Sequence, residues 1–402
     1  MVTMKQIILF CIALFLVSCS NGKRGISKES TRYSVYTSDI TQELEDYESL
    51  YSLNSGLTLR KASNQDIYAT YGKNGFHVIG KYDIQSNEAI DLISGHDLEP
   101  LLTKYTAEYD LSTASLNFID VFHNKLLFHV SALGTWVSEQ LIVSYDLASK
   151  AIDLVYLYPI STLGNSYAPQ LIYGNYMYLD IINDEKVQTE IIRINLDTKV
   201  SEVYKEKAQL PLTCFQKLCY FRLEDDTMVL YDEEDKLIGN LGSNIDRYSI
   251  LGTDDALYFN SYFSSADKDK AIQKIKANGN VNISELESTT DYVPAVTVLS
   301  KLDASGVVTD LIVRHDESFM QFPRFDGRFV TISMFGSCDF ILYDTISDSI
   351  PGGSLNKDDK CASYAISTDE QFLIHNVIYN DGINFEEIRV YDRSKFIHSI
   401  TR

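Results

Sequence analysis

The chain has 402 residues, 45% of them hydrophobic, a globular composition with length enough for one large domain or two ordinary ones. Its 56 acidic and 35 basic residues leave a formal net charge of -21. A field of that sign repels phosphate backbones and anionic head groups, so it argues against nucleic-acid binding and against charge-driven docking of the folded body on a membrane.

In chain order, residues 1–18 come first. They hold an apolar run, Ile7 to Val17, preceded by Lys5. Eleven apolar residues are too few to span a bilayer, which takes roughly 20, but they fit a secretory signal. Next stands Leu16-Val17-Ser18-Cys19, which resembles the bacterial lipobox. The resemblance implies that Cys19 becomes the lipidated first residue of an extracytoplasmic protein, held to a bacterial membrane by acyl chains alone. Residues 19–31 read as a polar tether. Residues 32–65 read as an N-terminal strand (Arg32 to Ile40) and one short helix packed on the main domain. Thr41 opens a capping box there, and Leu44, Tyr47 and Tyr51 form one helical stripe.

From residue 66 to 402 one phrase recurs. Gln140 to Tyr156 is a strand, a polar turn and a return strand, with Tyr145-Asp146 at the turn. Tyr82, Tyr231, Tyr343 and Tyr391 mark further copies, with Ile194, Ile275 and Leu302 in equivalent slots. Upstream of most copies lies another hairpin, such as Leu171 to Leu179, Ile250 to Phe259 and Phe325 to Ile332. Most intervals between markers, such as 145 to 194 and 302 to 343, are about 40–50 residues. Four strands at that period predict an all-β fold, a β-propeller of about seven four-stranded blades, with six or eight as alternatives. The interval from 275 to 302 is too short for a whole blade, so one of those two phrases belongs to an extra hairpin or a divergent blade.

Phe325-Asp-Gly-Arg-Phe-Val-Thr-Ile followed by Phe340-Ile-Leu-Tyr-Asp resembles the blade pattern of TolB-type propellers, and Ala365 to Ile374 followed by Ile388-Arg-Val-Tyr-Asp is similar. The Ser-Pro-Asp-Gly turn of that family and the Gly-His and Trp-Asp marks of WD40 repeats are missing. The resemblance therefore implies architecture and carries no function.

With Cys11 in the signal and Cys19 lipidated, Cys214, Cys219, Cys338 and Cys361 are left, which permits two disulfides outside the cytoplasm. If Gln216-Lys217 forms a two-residue turn, Cys214 and Cys219 face each other across it, and Cys338 with Cys361 follows by elimination. Four buried thiols are the alternative.

No Gly-x-Ser-x-Gly elbow, His-Glu-x-x-His or phosphate-binding loop occurs, and no catalytic residue stands out. His77, His129 and His375 sit within strand patterns and read as core or sheet-face residues. The acidic clusters Asp232 to Asp235, Asn183 to Glu185 and Asp358-Asp359 read as solvated turns. They leave calcium open as a cofactor, and none other is implied. On such a ring the connecting loops gather on one face. Trp136, Tyr167, Tyr262, Phe335, Tyr379 and Phe385 fall in them, aromatic residues suited to stacking on a sugar or anchoring a protein. The expectation is a non-enzymatic, cell-surface lipoprotein that binds a protein, peptide or glycan through this face. The alternative is an extracytoplasmic enzyme on the same scaffold, a polysaccharide lyase or a metal-dependent lactonase-like or esterase-like hydrolase.

Overall fold

The computed structural model describes residues 52–54, 58–61, 66–83, 88–104, 111, 114–131, 139–159, 170–263, 273, 296–314, 319–325, 328–335, 340–347, 361–368, 372–380 and 384–392. Cys19, the tether, and the strand and helix expected before residue 52 lie outside them. So do Trp136, Tyr167, Cys338 and Ile275.

Among the described residues the strands form seven antiparallel sheets in chain order. The first holds β2 (Thr58–Lys61), β3 (Ile67–Lys73), β4 (Phe76–Asp83) and β5 (Glu88–Ser94). The second holds β6 (Ser115–Phe122), β7 (Lys125–Ser131), β8 (Glu139–Asp146) and β9 (Ile152–Pro159). The third holds β10 (Gln170–Tyr173), β11 (Tyr176–Asn183), β12 (Gln188–Asn195) and β13 (Ser201–Glu206). The fourth holds β14 (Gln209–Cys214), β15 (Lys217–Glu224), β16 (Thr227–Asp232) and β17 (Leu237–Gly242). The fifth holds β18 (Ile245–Gly252), β19 (Ala256–Phe263), β20 (Val296–Asp303) and β21 (Val308–Arg314). The sixth has β22 (Phe319–Phe325), β23 (Phe329–Phe335) and β24 (Phe340–Asp344). The seventh joins the two ends of the chain: β25 (Cys361–Thr368), β26 (Phe372–Asn380) and β27 (Asn384–Asp392) are completed by β1 (Ser52–Asn54). The architecture is a β-propeller. Two expectations shift. β1 and β2, which fall within residues 32–65, are members of the sheets. A short helix, α1 (Glu99–Leu102), stands between the first and second sheets.

The recurrent Tyr-Asp phrase now has a physical reading. Its Asp ends the third strand of a sheet and caps the following turn with its own carboxylate. Asp146 Oδ1 accepts the main-chain N–H groups of Ala148 (3.0 Å) and Ser149 (2.7 Å). Asn195 does the same for Asp197 (3.0 Å) and Thr198 (2.9 Å). Asp232 takes Glu234 (3.1 Å) and Lys236 (2.9 Å), and Asp303 takes Ser305 (2.9 Å) and Val307 (3.0 Å). These are Asx turns. The residue before the cap (Tyr145, Ile194, Leu302, Tyr343) is buried in the layer between sheets. Leu302, in β20, therefore holds the marker slot of the fifth sheet, and Ile275 falls between β19 and β20.

The core consists of such layers. Leu127 and Ile142 of the second sheet pack with Met177, Leu179 and Ile192 of the third. Phe221 and Leu230 of the fourth pack with Leu257, Phe259 and Leu302 of the fifth. First strands of successive sheets touch (β10 with β14, β14 with β18, β18 with β22, β22 with β25), which puts them innermost, around the axis. The first and third turns of a sheet lie together, since Leu147 N–H bonds to Asn124 O (3.0 Å) and Leu196 N–H to Asn175 O (3.0 Å). We call this the turn end. The second-to-third connections and the connections between sheets emerge at the opposite, loop end.

The β14–β15 hairpin corrects the disulfide expectation. Its two turn residues are Phe215 and Gln216, both left-handed (φ 53° and 60°), so Cys214 pairs with Lys217, and Cys219 pairs with Leu212. The turn lies one residue earlier than Gln216-Lys217, which moves the cysteines from opposite to diagonal. Both are buried free thiols, and the Cys219 Sγ donates to the Cys214 carbonyl at 3.5 Å. The Cys361 side chain lies outside the described set, as does Cys338.

Candidate functional site

At the loop end, three sheets contribute to one polar cluster beside the axis. β11 supplies Asp180, a lone charge in the apolar run Met177 to Ile182, with its side chain 3% exposed. β14 supplies the Leu210 main-chain N–H, which donates to Asp180 Oδ2 at 3.1 Å. Leu210 holds φ at +53°, a conformation a branched side chain rarely adopts. β18 supplies Arg247, whose Nη2 lies 3.1 Å from the same oxygen and whose side chain is 38% exposed. The third, fourth and fifth sheets thus meet on one carboxylate. Burial dominates its titration and pushes Asp180 up to about 6, against the opposing pull of Arg247 and the Leu210 N–H.

Arg247 can reach across because β18 breaks its ladder. Ile245 pairs with Ser261 and Ile250 with Phe259, so four residues, Asp246 to Ser249, stand opposite Asn260 alone. Such irregularities re-aim side chains. Asp246 turns toward its own sheet, accepting hydrogen bonds from the Ser249 hydroxyl and, at 3.3 Å, the Tyr262 hydroxyl. The Tyr262 N–H bonds to Asn244 O at 2.9 Å. Burial, then the Asp246 carboxylate, hold the Tyr262 hydroxyl well above its ordinary range.

Of the aromatic residues expected at the site, Tyr262 is brought to this cluster. Phe335, Tyr379 and Phe385 were expected in loops and instead lie in strands: Phe335 ends β23, and Tyr379 of β26 pairs with Phe385 of β27. Their backbones stand at the loop end because each flanks a second-to-third connection. Trp136 and Tyr167 are outside the described residues. Asp180 and Arg247 were missed. The available signal was a single Asp inside an otherwise apolar second strand.

In the Asp232 to Asp235 cluster, one of those expected as solvated turns, Glu233, Glu234 and Asp235 are exposed and Asp232 is buried. Asp232 meets Lys217 at 3.2 Å, and Asp235 meets Lys205 and Arg222, each at 2.8 Å, together with the Tyr220 hydroxyl. Lys205 and Arg222 belong to a ladder across the third and fourth sheets. Arg193 lies between Tyr176 and Tyr204 (4.8 and 5.0 Å), Lys205 between Tyr204 and Tyr220 (5.3 and 5.2 Å), and Arg222 between Tyr220 and Tyr231 (5.4 and 4.9 Å). This is a joint between sheets. Among the described residues no group of three or more His, Cys, Asp or Glu is placed to hold a metal ion. His129 is buried in β7, and that burial lowers its pKa.

No protein-family model and no curated protein matches the sequence. Solved structures do. A prolyl endopeptidase superposes with a TM-score of 0.54 at 8% identity over 89% of this chain, and the chain spans only 49% of that protein. The β-propeller domain of the Trilobed protease from Pyrococcus furiosus gives 0.51 at 10% identity, covering 85% of this chain and 94% of that one. An oligogalacturonate lyase from Vibrio parahaemolyticus gives 0.48 at 9% identity, covering 85% and 91%. At such identities the likeness extends to the fold alone: the chain is built as the β-propeller domain of the Trilobed protease is built.

Proposed function

We propose that this chain is an extracytoplasmic, lipid-anchored propeller that binds a protein, peptide or glycan partner at its loop end, without catalysing a reaction. The observation that carries the reading is the state of the carboxylates there. Asp180 is held by Arg247 and the Leu210 N–H, and Asp246 by Ser249 and Tyr262. Each is engaged by the protein's own donors, which suits a preorganised recognition surface more than a pair of carboxylates set to act on a substrate.

Two experiments test it. A photo-crosslinking amino acid in place of Tyr262, introduced in the native envelope, is expected to capture a specific partner, while the same group in place of Val200 at the turn end is not. Turnover of a polysaccharide or a lactone by the purified protein, lost on Arg247→Ala, would replace this reading with the enzymatic one. Separately, Cys19→Ser is expected to release the protein from membranes or block its processing. A Cys19→Ser protein that is processed and sediments with membranes like the parent would remove the anchor.

A further inference from the structure

This inference rests on the reading of the chain as lipid-anchored at Cys19. We infer that the turn end of the ring is a docking surface for the bilayer that holds the anchor, which leaves the loop end facing away from it. Large exposed apolar side chains collect at the turn end. Val200, Leu237 and Val307 follow the capped third turns of the third, fourth and fifth sheets, and Ile346 follows the cap Asp344 of the sixth. They are 66%, 57%, 55% and 75% exposed. Single residues so exposed are ordinary, but here they recur at the same end of four successive sheets. Tyr173, at the first turn of the third sheet, and Val308, next to Val307, add to them. At the loop end the large apolar residues exposed among those described are Val187 and Leu223.

The turn caps build this rim. The carbonyls of Val200 and Val307 accept the N–H groups of their caps, Asn195 (2.9 Å) and Asp303 (3.1 Å), which fixes both residues at the same point of the turn. The cap side chains fold back onto main-chain N–H groups, Asp232 onto Glu234 and Lys236, and Asp303 onto Ser305 and Val307. The occupant follows from where the chain joins the ring. β27 runs from the loop end, at Asn384, toward the turn end, and β1 lies antiparallel to it, with Ser52 opposite Arg389 and Asn54 opposite Glu387. β1 therefore runs from the turn-end side toward the loop end, and the chain leading from Cys19 joins the ring from the turn-end side. A lipid anchor gives the bilayer a high effective concentration there. A second copy suits the rim less: each chain carries a net charge of -21, and the exposed Glu233 and Glu234 stand on this rim, so like charges would face each other. Zwitterionic head groups carry no such penalty, and aliphatic side chains enter the interface without the help of charge. The acyl chains supply the hold, and the apolar rim sets which way the ring faces.

The test is a diazirine amino acid in place of Val200, Ile346 or Val187 in the full-length protein in its native envelope, with adducts read by mass spectrometry after irradiation. Val187 is 72% exposed at the loop end, so it controls for exposure. Phospholipid adducts at positions 200 and 346 are expected to exceed those at 187 by at least about tenfold. Leu237→Ser together with Val307→Ser, both at exposed positions, is expected to lower the lipid yield at position 200 by at least about threefold while the protein still sediments with membranes. Lipid yields at 200 and 346 no higher than at 187, a protein adduct there in place of lipid (a second copy included), or an undiminished yield in the double serine variant overturns the inference. Sedimentation of Cys19→Ser separates this failure from that of the anchor. A protein that Cys19→Ser releases, but that gives no lipid excess at 200 and 346, keeps its anchor and loses the docking surface. A Cys19→Ser protein that is processed and sediments like the parent removes the anchor on which the inference rests.

Discussion

Asp344 and Asp180 are both carboxylates buried within sheets, and their surroundings push them in opposite directions. Arg328 grips Asp344 through two parallel bonds, Nε to Oδ1 at 3.0 Å and Nη2 to Oδ2 at 2.6 Å, and holds its pKa down at about 2. A folded value below the unfolded one, near 3.9, makes Asp344 stabilising above about pH 4, and that contribution is lost as pH falls through about 2. Asp180, at about 6, does the reverse: the folded state binds its proton more tightly, so stability declines as pH rises from about 4 to about 6. Asp180→Asn is expected to flatten that decline in urea-denaturation midpoints taken between pH 4 and 7. Arg328→Leu leaves an Asp side chain only 4% exposed without its cation. Breaking a fully buried pair costs about 3–5 kcal/mol, and since Arg328 is 37% exposed the expected loss is roughly 2–3 kcal/mol in equilibrium unfolding.

At the scale of elements, turns and close approaches decide the geometry. Several two-residue turns have both central residues left-handed: Asn74-Gly75, His123-Asn124, Phe215-Gln216 and Asp225-Asp226. Asn-Gly is a standard signal for this turn and Phe-Gln is not, which is why the Cys214 hairpin lay one residue away from its expected register. Between the innermost strands the backbones nearly touch. A Cβ on Gly252 of β18 would lie 1.9 Å from the Thr213 carbonyl oxygen of β14, whereas one on Gly72 of β3 would meet nothing within 4 Å. Gly252→Ala is thus expected to cost at least about 3 kcal/mol, since neither strand can retreat without opening the ring. Gly72→Ala is expected to stay within about 0.5 kcal/mol. Chemical denaturation of the two variants side by side checks both.

Among the described residues the sheets form a ring whose last sheet is completed by the first described strand, Ser52 with Arg389, Leu53 with Ile388 and Asn54 with Glu387. Three residue pairs are a small closure for so large a ring. Leu53→Pro, which removes a main-chain donor from β1, is expected to lower the thermal midpoint by a few degrees. It is also expected to raise amide exchange in Glu387–Arg389 while Met177–Ile182 stays protected. Equal exchange in both segments of parent and variant would show that β1 does not hold the ring shut.

What the sequence determined by itself was local. The Tyr-Asp phrase, the alternation of its strands and its period are written within a few dozen residues, and an Asx turn or an interior tyrosine needs no distant partner to be read. Those features led to the propeller. The tertiary structure alone decided that β1 and β2 belong to the sheets and that Leu302 rather than Ile275 holds the fifth marker. It also decided that Asp180, the Leu210 N–H and Arg247 share one site. These residues lie 30 and 67 positions apart from Asp180 along the chain. Nothing local signals their meeting, because it is the circular stacking of separate sheets around an axis that brings them together.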